Sequence, residues 1–252
     1  MQPKTAIIVS HNRPIYLWAT LDALWRATKS DVQFTLIDQA STDPLVHQVI
    51  DSFAKRGLLG ETIMSETNDP AMLQRLLAAR FAELSDIFFY IENDAVIYEG
   101  EQCWTDRMLA FMQAEPRLAM LGSAIDKADF LPRSQIEGIL GREASREELD
   151  AIKWFSPERQ LPDIGPDETA SPFNPPGRLL ALRKQALIGC PSMRDAAMHA
   201  YLCGQGWTTA ITGAVRHRHL SLYNFFDYPA YDMKNRDQFM DVAPVNSDAS
   251  AV

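Results

Sequence analysis

The sequence predicts an α/β protein built on an open, mostly parallel sheet that is flanked by helices. Three observations predict it: short apolar runs recur along the chain, a helical pattern follows each run, and several runs end on polar or acidic residues. With 252 residues, 46% of them hydrophobic, the chain can bury a full core. We therefore expect one domain over residues 1–242 and a short disordered tail over 243–252.

The elements follow one another in a regular strand and helix alternation. Prolines open the first two helices, where a missing backbone N–H costs nothing. The predicted strands cover residues 5–10, 32–37, 61–65, 86–91, 118–125 and 208–215. The predicted helices cover 14–24, 44–53, 71–84 and 104–112.

Acidic residues end two of these strands. Glu92 and Asp94 follow the apolar run 87–91, separated by Asn93, and Asp38 ends the second strand. In open α/β sheets the carboxyl ends of the strands form the ligand-binding edge. Carboxylates that converge there repel one another unless a cation offsets their charge, and oxygen ligands suit Mg²⁺ or Mn²⁺. The pattern favours a metal site, although acidic residues also end ordinary strands as solvated turn formers.

Composition excludes several classes of function. A formal charge of -9 and a pI near 5.0 argue against nucleic acid as a partner. No apolar run reaches the length of a membrane span, and the residues before Thr5 lack a signal-peptide pattern. The three cysteines show no metal-type spacing, so we expect reduced thiols and a cytoplasmic location.

The turn after the first strand lacks the usual phosphate loops. It reads Ser10-His-Asn-Arg-Pro14, without the glycine pattern of a dinucleotide loop or of a P-loop. A diphosphate would therefore be held by metal and side chains. That combination is typical of a nucleotide-sugar site.

Three segments, residues 5–14, 36–43 and 91–94, resemble the amino-terminal half of family-two glycosyltransferases with the GT-A fold. The resemblance implies a nucleotide-sugar half over 1–126 and an acceptor half over 127–242. It implies Mn²⁺ or Mg²⁺ as cofactor, held by Glu92 and Asp94. The nucleotide-sugar contacts that it implies are Ser10, Asn12, Arg13, Asp38, Ser41, Asp43 and Asn93.

The carboxyl-terminal half extends the resemblance. Asp195 begins a helix that ends near Gly206-Trp207, as in the family segment that carries the general base, and Gly206 suits a left-handed position after a helix. The alternative for Asp195 is a simple helix amino-terminal charge. His217 matches a position where many GT-A enzymes offer an imidazole to the metal, and Arg216 would steady the diphosphate. Both side chains would otherwise be solvated members of a basic tetrad, 216–219.

Two segments depart from the sheet pattern. Residues 127–176 suggest an acceptor-side insertion in which Trp154, Phe155 and Phe173 either stack on a sugar ring or anchor the segment to the core. The aromatic stretch 219–240 would form a lid over the nucleotide or a packed arm.

The sequence as a whole predicts a metal-dependent glycosyltransferase that moves a sugar from a nucleoside-diphosphate sugar, UDP favoured, to a hydroxyl of a glycan or glycoconjugate acceptor. The predicted reaction inverts the anomeric carbon and adds one sugar, as in polysaccharide biosynthesis. A retaining enzyme, a sugar nucleotidyltransferase and a silent carbohydrate- or nucleotide-binding protein are the alternatives. Peripheral membrane association stays open.

Overall fold

The computed structural model describes residues 3–126, 134, 137–138, 141–143, 145, 164–171 and 176–220. Within these residues the predicted α/β alternation is confirmed. The strands are β1 Lys4–Ser10, β2 Val32–Gln39, β3 Leu59–Ser65, β4 Ile87–Glu92, β5 Ala95–Ile97, β6 Leu118–Ile125, β7 Thr169–Ala170, β8 Leu179–Arg183 and β9 Thr208–His219. The α-helices are α1 Pro14–Ala27, α2 Pro44–Lys55, α3 Pro70–Ala79, α4 Trp104–Ala114 and α5 Asp195–Gly204, and Lys184–Leu187 forms a 3₁₀ turn.

These strands form one mixed sheet in the order β3-β2-β1-β4-β8-β6-β9-β5, with β7 paired to β9. Strands β1 to β4 are parallel where they pair, and β6 is parallel to β9. Strand β8 runs antiparallel between β4 and β6. Because β1 pairs with β2 on one side and with β4 on the other, strand order reverses at β1, and a crevice opens beyond the carboxyl ends there.

The core lies on both faces of the sheet, because successive residues of β1 point to opposite sides. Ile8 packs in one layer with Leu17 and Leu21 of α1, and Ile7 packs in the other with Leu73 of α3. Helices therefore cover both faces and leave the carboxyl edge of the sheet for the loops.

Local sequence signals explain the helix boundaries. Prolines occupy the first turn of α1, α2 and α3, and the side chains of Asp43 and Asp69 cap the amino ends of α2 and α3. Gly206 follows α5 with a φ of 79°, which confirms the predicted left-handed position.

Two predicted boundaries are wrong by about four residues or more. Helix α3 ends at Ala79 rather than at 84, because the chain turns over residues 80–86 before β4. Strand β9 continues through 216–219 rather than ending at 215, since pairing with β5 satisfies its backbone as far as His219. The tetrad is thus part of the sheet.

Most of the predicted acceptor-side insertion, with Trp154, Phe155 and Phe173, lies outside the described residues, and so does the aromatic stretch after 220. Among the residues described, no helix is long and apolar enough to cross a membrane.

Candidate functional site

Two loops at the carboxyl edge are joined through Ser41. The Asp38 carboxylate is fully buried and accepts two hydrogen bonds from this one residue, from the Ser41 amide at 2.9 Å and from its hydroxyl at 2.6 Å. The Asn12 amide in turn donates to the Ser41 Oγ atom at 2.7 Å. Asp38 therefore orders the turn after β2 and, through Ser41, the turn after β1.

Asn12 ties the same two loops together with its side chain. Its Oδ1 atom accepts from the amides of Thr42 at 2.9 Å and Asp43 at 3.3 Å. Asn93 donates to the Asn12 carbonyl at 3.3 Å and to the Ser10 hydroxyl at 3.5 Å. Six of the predicted nucleotide-sugar contacts thus form one hydrogen-bonded group at the switch point of the sheet: Ser10, Asn12, Asp38, Ser41, Asp43 and Asn93.

Asp94 lies at the centre of a charged cluster. Its side chain is 2% exposed, and its Oδ2 atom lies 3.4 Å from the Arg13 Nη1 atom and 3.4 Å from the His219 Nε2 atom. Burial raises the pKa of Asp94, but Arg178, His219 and Arg13 outweigh it and hold the pKa well below its usual range. The Oδ1 atom is buried and has no hydrogen-bond partner within the described part of the chain.

His217 presents a second buried atom of this kind. Its Nδ1 atom lies 2.7 Å from the Ser123 Oγ atom, and the Ser123 hydroxyl donates to the Leu179 carbonyl at 3.4 Å. Since a hydroxyl carries one proton, a Ser123 hydroxyl that donates to Leu179 accepts from the His217 Nδ1–H group, and in that tautomer the Nε2 atom carries a lone pair. No described residue hydrogen-bonds to Nε2. Burial, with His219, lowers the pKa of His217 to about 3, so the ring is neutral near pH 7.

These two atoms fit a divalent metal. A carboxylate oxygen and a neutral imidazole nitrogen are both ligands for Mn²⁺, and Mg²⁺ accepts the carboxylate. Among the residues described, no group of three or more His, Cys, Asp or Glu side chains could hold a metal ion. A metal at Asp94 and His217 would therefore need water or phosphate oxygens as its other ligands.

Glu92 is bound to an arginine that the sequence analysis did not single out. Its carboxylate forms an ion pair with the Arg178 guanidinium, and its amide donates to the Arg178 carbonyl at 2.7 Å. Burial raises the pKa of Glu92, with Asp94 and Asp195 adding to the effect and Arg178 opposing it. Glu92 as a metal ligand stays a prediction. The carboxylates of Glu92, Asp94 and Asp195 repel one another unless a cation lies near them, and a search for that cation could have identified Arg178.

Asp195 is the first residue of α5, and its Oδ1 atom accepts from the Ala196 amide at 2.7 Å. A Cβ atom on Gly177 would lie 3.1 Å from the Asp195 Oδ2 atom, so the loop before β8 approaches this carboxylate closely. Burial raises the pKa of Tyr90, and both Glu92 and Asp195 raise it further, which places Asp195 in the same electrostatic neighbourhood. No ion pair joins Arg194 to Asp195 in the described part of the chain.

Arg216 lies apart from this cluster. Side chains alternate along β9, so Arg216 and His217 point to opposite faces, and the Arg216 Nη2 atom donates to the Ile164 carbonyl at 3.0 Å. Its predicted contact with a diphosphate stays a prediction.

Solved structures resemble this chain, although no protein-family model and no curated protein sequence matches it. One is the mannosyltransferase PcManGT from Pyrobaculum calidifontis in complex with GDP-Man and Mn²⁺ (14% identity, TM-score 0.55). A second is GalNAc-T7 with UDP, GalNAc and Mn²⁺ (13%, 0.55). A third is glucosyl-3-phosphoglycerate synthase from Mycobacterium tuberculosis with Mg²⁺ and UDP (12%, 0.51).

The matches extend over most of this chain. They cover 87%, 87% and 94% of it, and 57%, 44% and 77% of the respective structures, so the chain spans about half the length of the first two. At these identities the likeness establishes the fold. The protein has the GT-A fold, as the sequence predicted.

Proposed function

We propose that this protein is a metal-dependent glycosyltransferase whose donor is a nucleoside-diphosphate sugar, with UDP as the favoured nucleotide. One observation carries the proposal: the ionised, buried Asp94 carboxylate has an oxygen without a hydrogen-bond partner among the described residues, and the buried Nε2 atom of His217, whose pKa Asp94 influences, has none there either. A buried charge and a buried lone pair are costly unless a ligand satisfies them. The three solved structures each contain a divalent metal with a nucleotide or nucleotide sugar, which supports the same assignment.

Asp94 and His217 would hold the metal, which in such sites offsets the negative charge of a diphosphate leaving group. The loops that Asn12 and Ser41 join would accept the nucleotide, because they lie at the carboxyl ends of β1 and β2. Asp38 and Asp43 are almost fully buried, so they would act mainly by ordering these loops.

Asp195 would be the general base of an inverting reaction. Its Oδ2 atom accepts no hydrogen bond from the residues described, and the carboxylate lies in the field of Glu92 and Arg178. In the proposed step Asp195 takes the proton of an acceptor hydroxyl as that oxygen bonds to the anomeric carbon. The bond from this carbon to the diphosphate oxygen breaks, and the nucleoside diphosphate leaves with the electron pair.

The acceptor would be a glycan or glycoconjugate that enters from the α5 side, where Asp195 lies at the helix amino terminus. The predicted acceptor-side insertion, residues 127–176, would contribute to this side. A retaining reaction would use the same donor site without Asp195 as a base, and product stereochemistry separates the two.

Calorimetry with UDP and UDP-sugars in the presence and absence of Mn²⁺ tests the proposal. We expect Mn²⁺ to strengthen nucleotide binding to the wild type, and Asp94→Asn to abolish that strengthening while the fold remains intact. The matched control is Asp51→Asn, because Asp51 is exposed on α2 and makes none of the site contacts. Metal-dependent binding that is unchanged in Asp94→Asn would refute the metal site. Binding without any metal-dependent release of nucleoside diphosphate would favour a silent nucleotide-binding protein.

A further inference from the structure

The turn ahead of β8 holds a residue in an unusual backbone conformation. The Leu179 amide donates to the Gly177 carbonyl at 2.8 Å and closes a three-residue turn around Arg178, whose φ is 67°. A γ-turn with a positive φ at its central residue is rare and strained, even more so for a residue with a side chain. Such strain persists where surrounding contacts hold it, and it is concentrated at functional sites.

Glu92 supplies those contacts. As the last residue of β4 it binds Arg178 twice, through its amide to the Arg178 carbonyl and through its carboxylate to the Arg178 Nη1 atom. The backbone bond fixes the turn, and the ion pair fixes the guanidinium. Glu92 thus sets the position of a cation beside Asp94 rather than adding a further unpaired carboxylate.

Most of the Arg178 guanidinium is left for a ligand. A guanidinium has five N–H donors, and within the described part of the chain only Nη1 of Arg178 has a hydrogen-bond partner. The side chain is 31% exposed, and among the described residues neither its Nε nor its Nη2 atom is a buried atom without a hydrogen-bond partner, so solvent reaches both at least in part. Its charge also reaches the neighbouring acids, because Arg178 is the largest of the influences that lower the pKa of Asp94.

The charge balance of the cluster shows what this cation does. Three carboxylates, Glu92, Asp94 and Asp195, face two guanidiniums, Arg13 and Arg178, and the His219 imidazole, so the net charge is one negative with a neutral imidazole and zero with a protonated one. In neither state does the cluster as a whole attract a diphosphate, so cations must contact the diphosphate directly. One divalent metal ion would make the net charge positive, but it does not replace hydrogen-bond donors. Arg178 offers these in the planar arrangement that matches phosphate oxygens.

We infer that Arg178 is a phosphate-binding residue of the donor site, held in position by Glu92. The identity of the donor as a nucleotide sugar rests on the function proposed above. The binding of a diphosphate group to Arg178 does not, since it follows from the strained turn, the anchoring by Glu92 and the free N–H donors.

Inorganic pyrophosphate is the direct probe, because it contains the diphosphate without the nucleoside. Calorimetry in the presence of Mg²⁺ should show pyrophosphate binding to the wild type. Arg178→Gln should weaken that binding at least about tenfold. Arg178→Lys keeps the charge but loses the planar donors, so its pyrophosphate affinity should lie between those of the wild type and Arg178→Gln. The matched control is Arg194→Gln, because Arg194 is exposed and pairs with none of the three acids; it should change the affinity less than about twofold.

A double-mutant cycle tests the role of Glu92. Glu92→Gln should weaken pyrophosphate binding in the wild-type background, because it releases Arg178. In the Arg178→Gln background the same change should leave binding unchanged or strengthen it, because a negative charge is removed and no anchored cation remains to be lost. Additive weakening in the two backgrounds would show that Glu92 does not act through Arg178.

The outcomes separate this inference from the proposed function. Pyrophosphate and UDP affinities that stay within about twofold of the wild type in both Arg178→Gln and Arg178→Lys overturn the inference, whereas metal-dependent UDP binding still supports the proposed function. The converse result is that pyrophosphate binds in an Arg178-dependent way while UDP binds no more tightly than pyrophosphate. That result supports the inference and argues against a nucleotide donor. Absence of both UDP and pyrophosphate binding to the wild type contradicts both.

Discussion

The Nδ1 atom of His217 and the Oγ atom of Ser123 lie 2.7 Å apart, and this hydrogen bond joins two strands. Ser123 belongs to β6 and His217 to β9, which pair in parallel. The serine hydroxyl is also within 3.4 Å of the Leu179 carbonyl, and when it donates there the ring proton is on Nδ1 and Nε2 keeps its lone pair.

Ser123→Ala tests this arrangement. Without the hydroxyl the ring proton is no longer held on Nδ1, and we expect the Mn²⁺ affinity to fall by about tenfold, the lower end of effects seen for residues that orient metal ligands. Isothermal calorimetry with Mn²⁺ and UDP measures it. Ser30→Ala makes the same change ahead of β2, at the amino edge of the sheet, and should bind Mn²⁺ as the wild type does. Unchanged affinity in Ser123→Ala would show that the serine does not prepare His217.

Stability should decrease in mild acid because His217 is buried as a neutral ring. Its pKa is about 3 in the folded protein and 6.5 ordinarily, so the unfolded chain takes up a proton between these values and the folded chain does not. The contribution to stability is complete above pH 6.5 and is lost as pH falls towards 3. From pH 7 to pH 5 this amounts to about 2 kcal/mol.

Urea unfolding in the presence of a chelator measures this loss. His217→Asn cannot take up the proton, so its unfolding free energy should change less over the same pH interval. An equally steep decrease in the variant would assign the acid sensitivity to other groups.

Asp195→Asn should separate binding from transfer. The amide is nearly isosteric but cannot accept a proton at neutral pH, so donor and metal affinity should persist while transfer falls by about 10² or more. Transfer is followed as nucleoside diphosphate release that depends on the acceptor, together with the anomeric configuration of the product. Arg194→Gln is the control and should keep the wild-type pH profile, since no ion pair joins Arg194 to Asp195 in the described residues. Near-normal transfer by Asp195→Asn at every pH would exclude Asp195 as the base.

Asp38→Ala and Ser41→Ala should behave alike. Both weaken the link between the turns after β1 and β2, because the two oxygens of Asp38 are bound to Ser41 and Ser41 is bound to Asn12, while the bonds from Thr42 and Asp43 to the Asn12 side chain remain. We expect both variants to bind free nucleotide more weakly than the wild type, and Asp38→Ala to lower the melting temperature more, since it leaves two donors unpaired. If Ser41→Ala bound nucleotide normally while Asp38→Ala did not, Asp38 would contact the nucleotide itself rather than order the loop.

The sheet could be predicted from the sequence to a large extent because local signals agree with the fold. The run before Asp38, the prolines at the helix starts and Gly206 each act through the backbone of their own segment. Strand β5 was not predicted, because three residues are too few to show an alternating hydrophobic pattern. Strand β8 was not predicted, because its apolar run was interpreted only through the family resemblance.

The sequence predicted which residue types form the candidate site, but it did not predict most of the contacts between them. The sequence predicts that Asp94, His217 and Asp195 lie at one edge of the sheet, because strand ends and helix starts meet there. It could not pair Glu92 with Arg178, since that contact spans 86 positions and depends on the antiparallel register of β4 and β8. It also could not separate Arg216 from His217, because it placed both in a solvated tetrad rather than in a strand.

The backbone conformation of Ala40 offers a way to stabilise this protein. Its φ of 55° lies in the left-handed region, where a side chain costs roughly 1–2 kcal/mol and glycine has no such penalty. Ala40→Gly would remove that penalty without touching a functional group, and after the larger chain entropy of glycine it should raise the unfolding free energy by about 0.5–1 kcal/mol. The same exchange at Asn12, Arg13 or Arg178, which also have positive φ, would relax the backbone but delete a side chain of the cluster. Among the described non-glycine residues with positive φ, Ala40 is therefore the one whose exchange for glycine leaves the polar side chains of the candidate site in place.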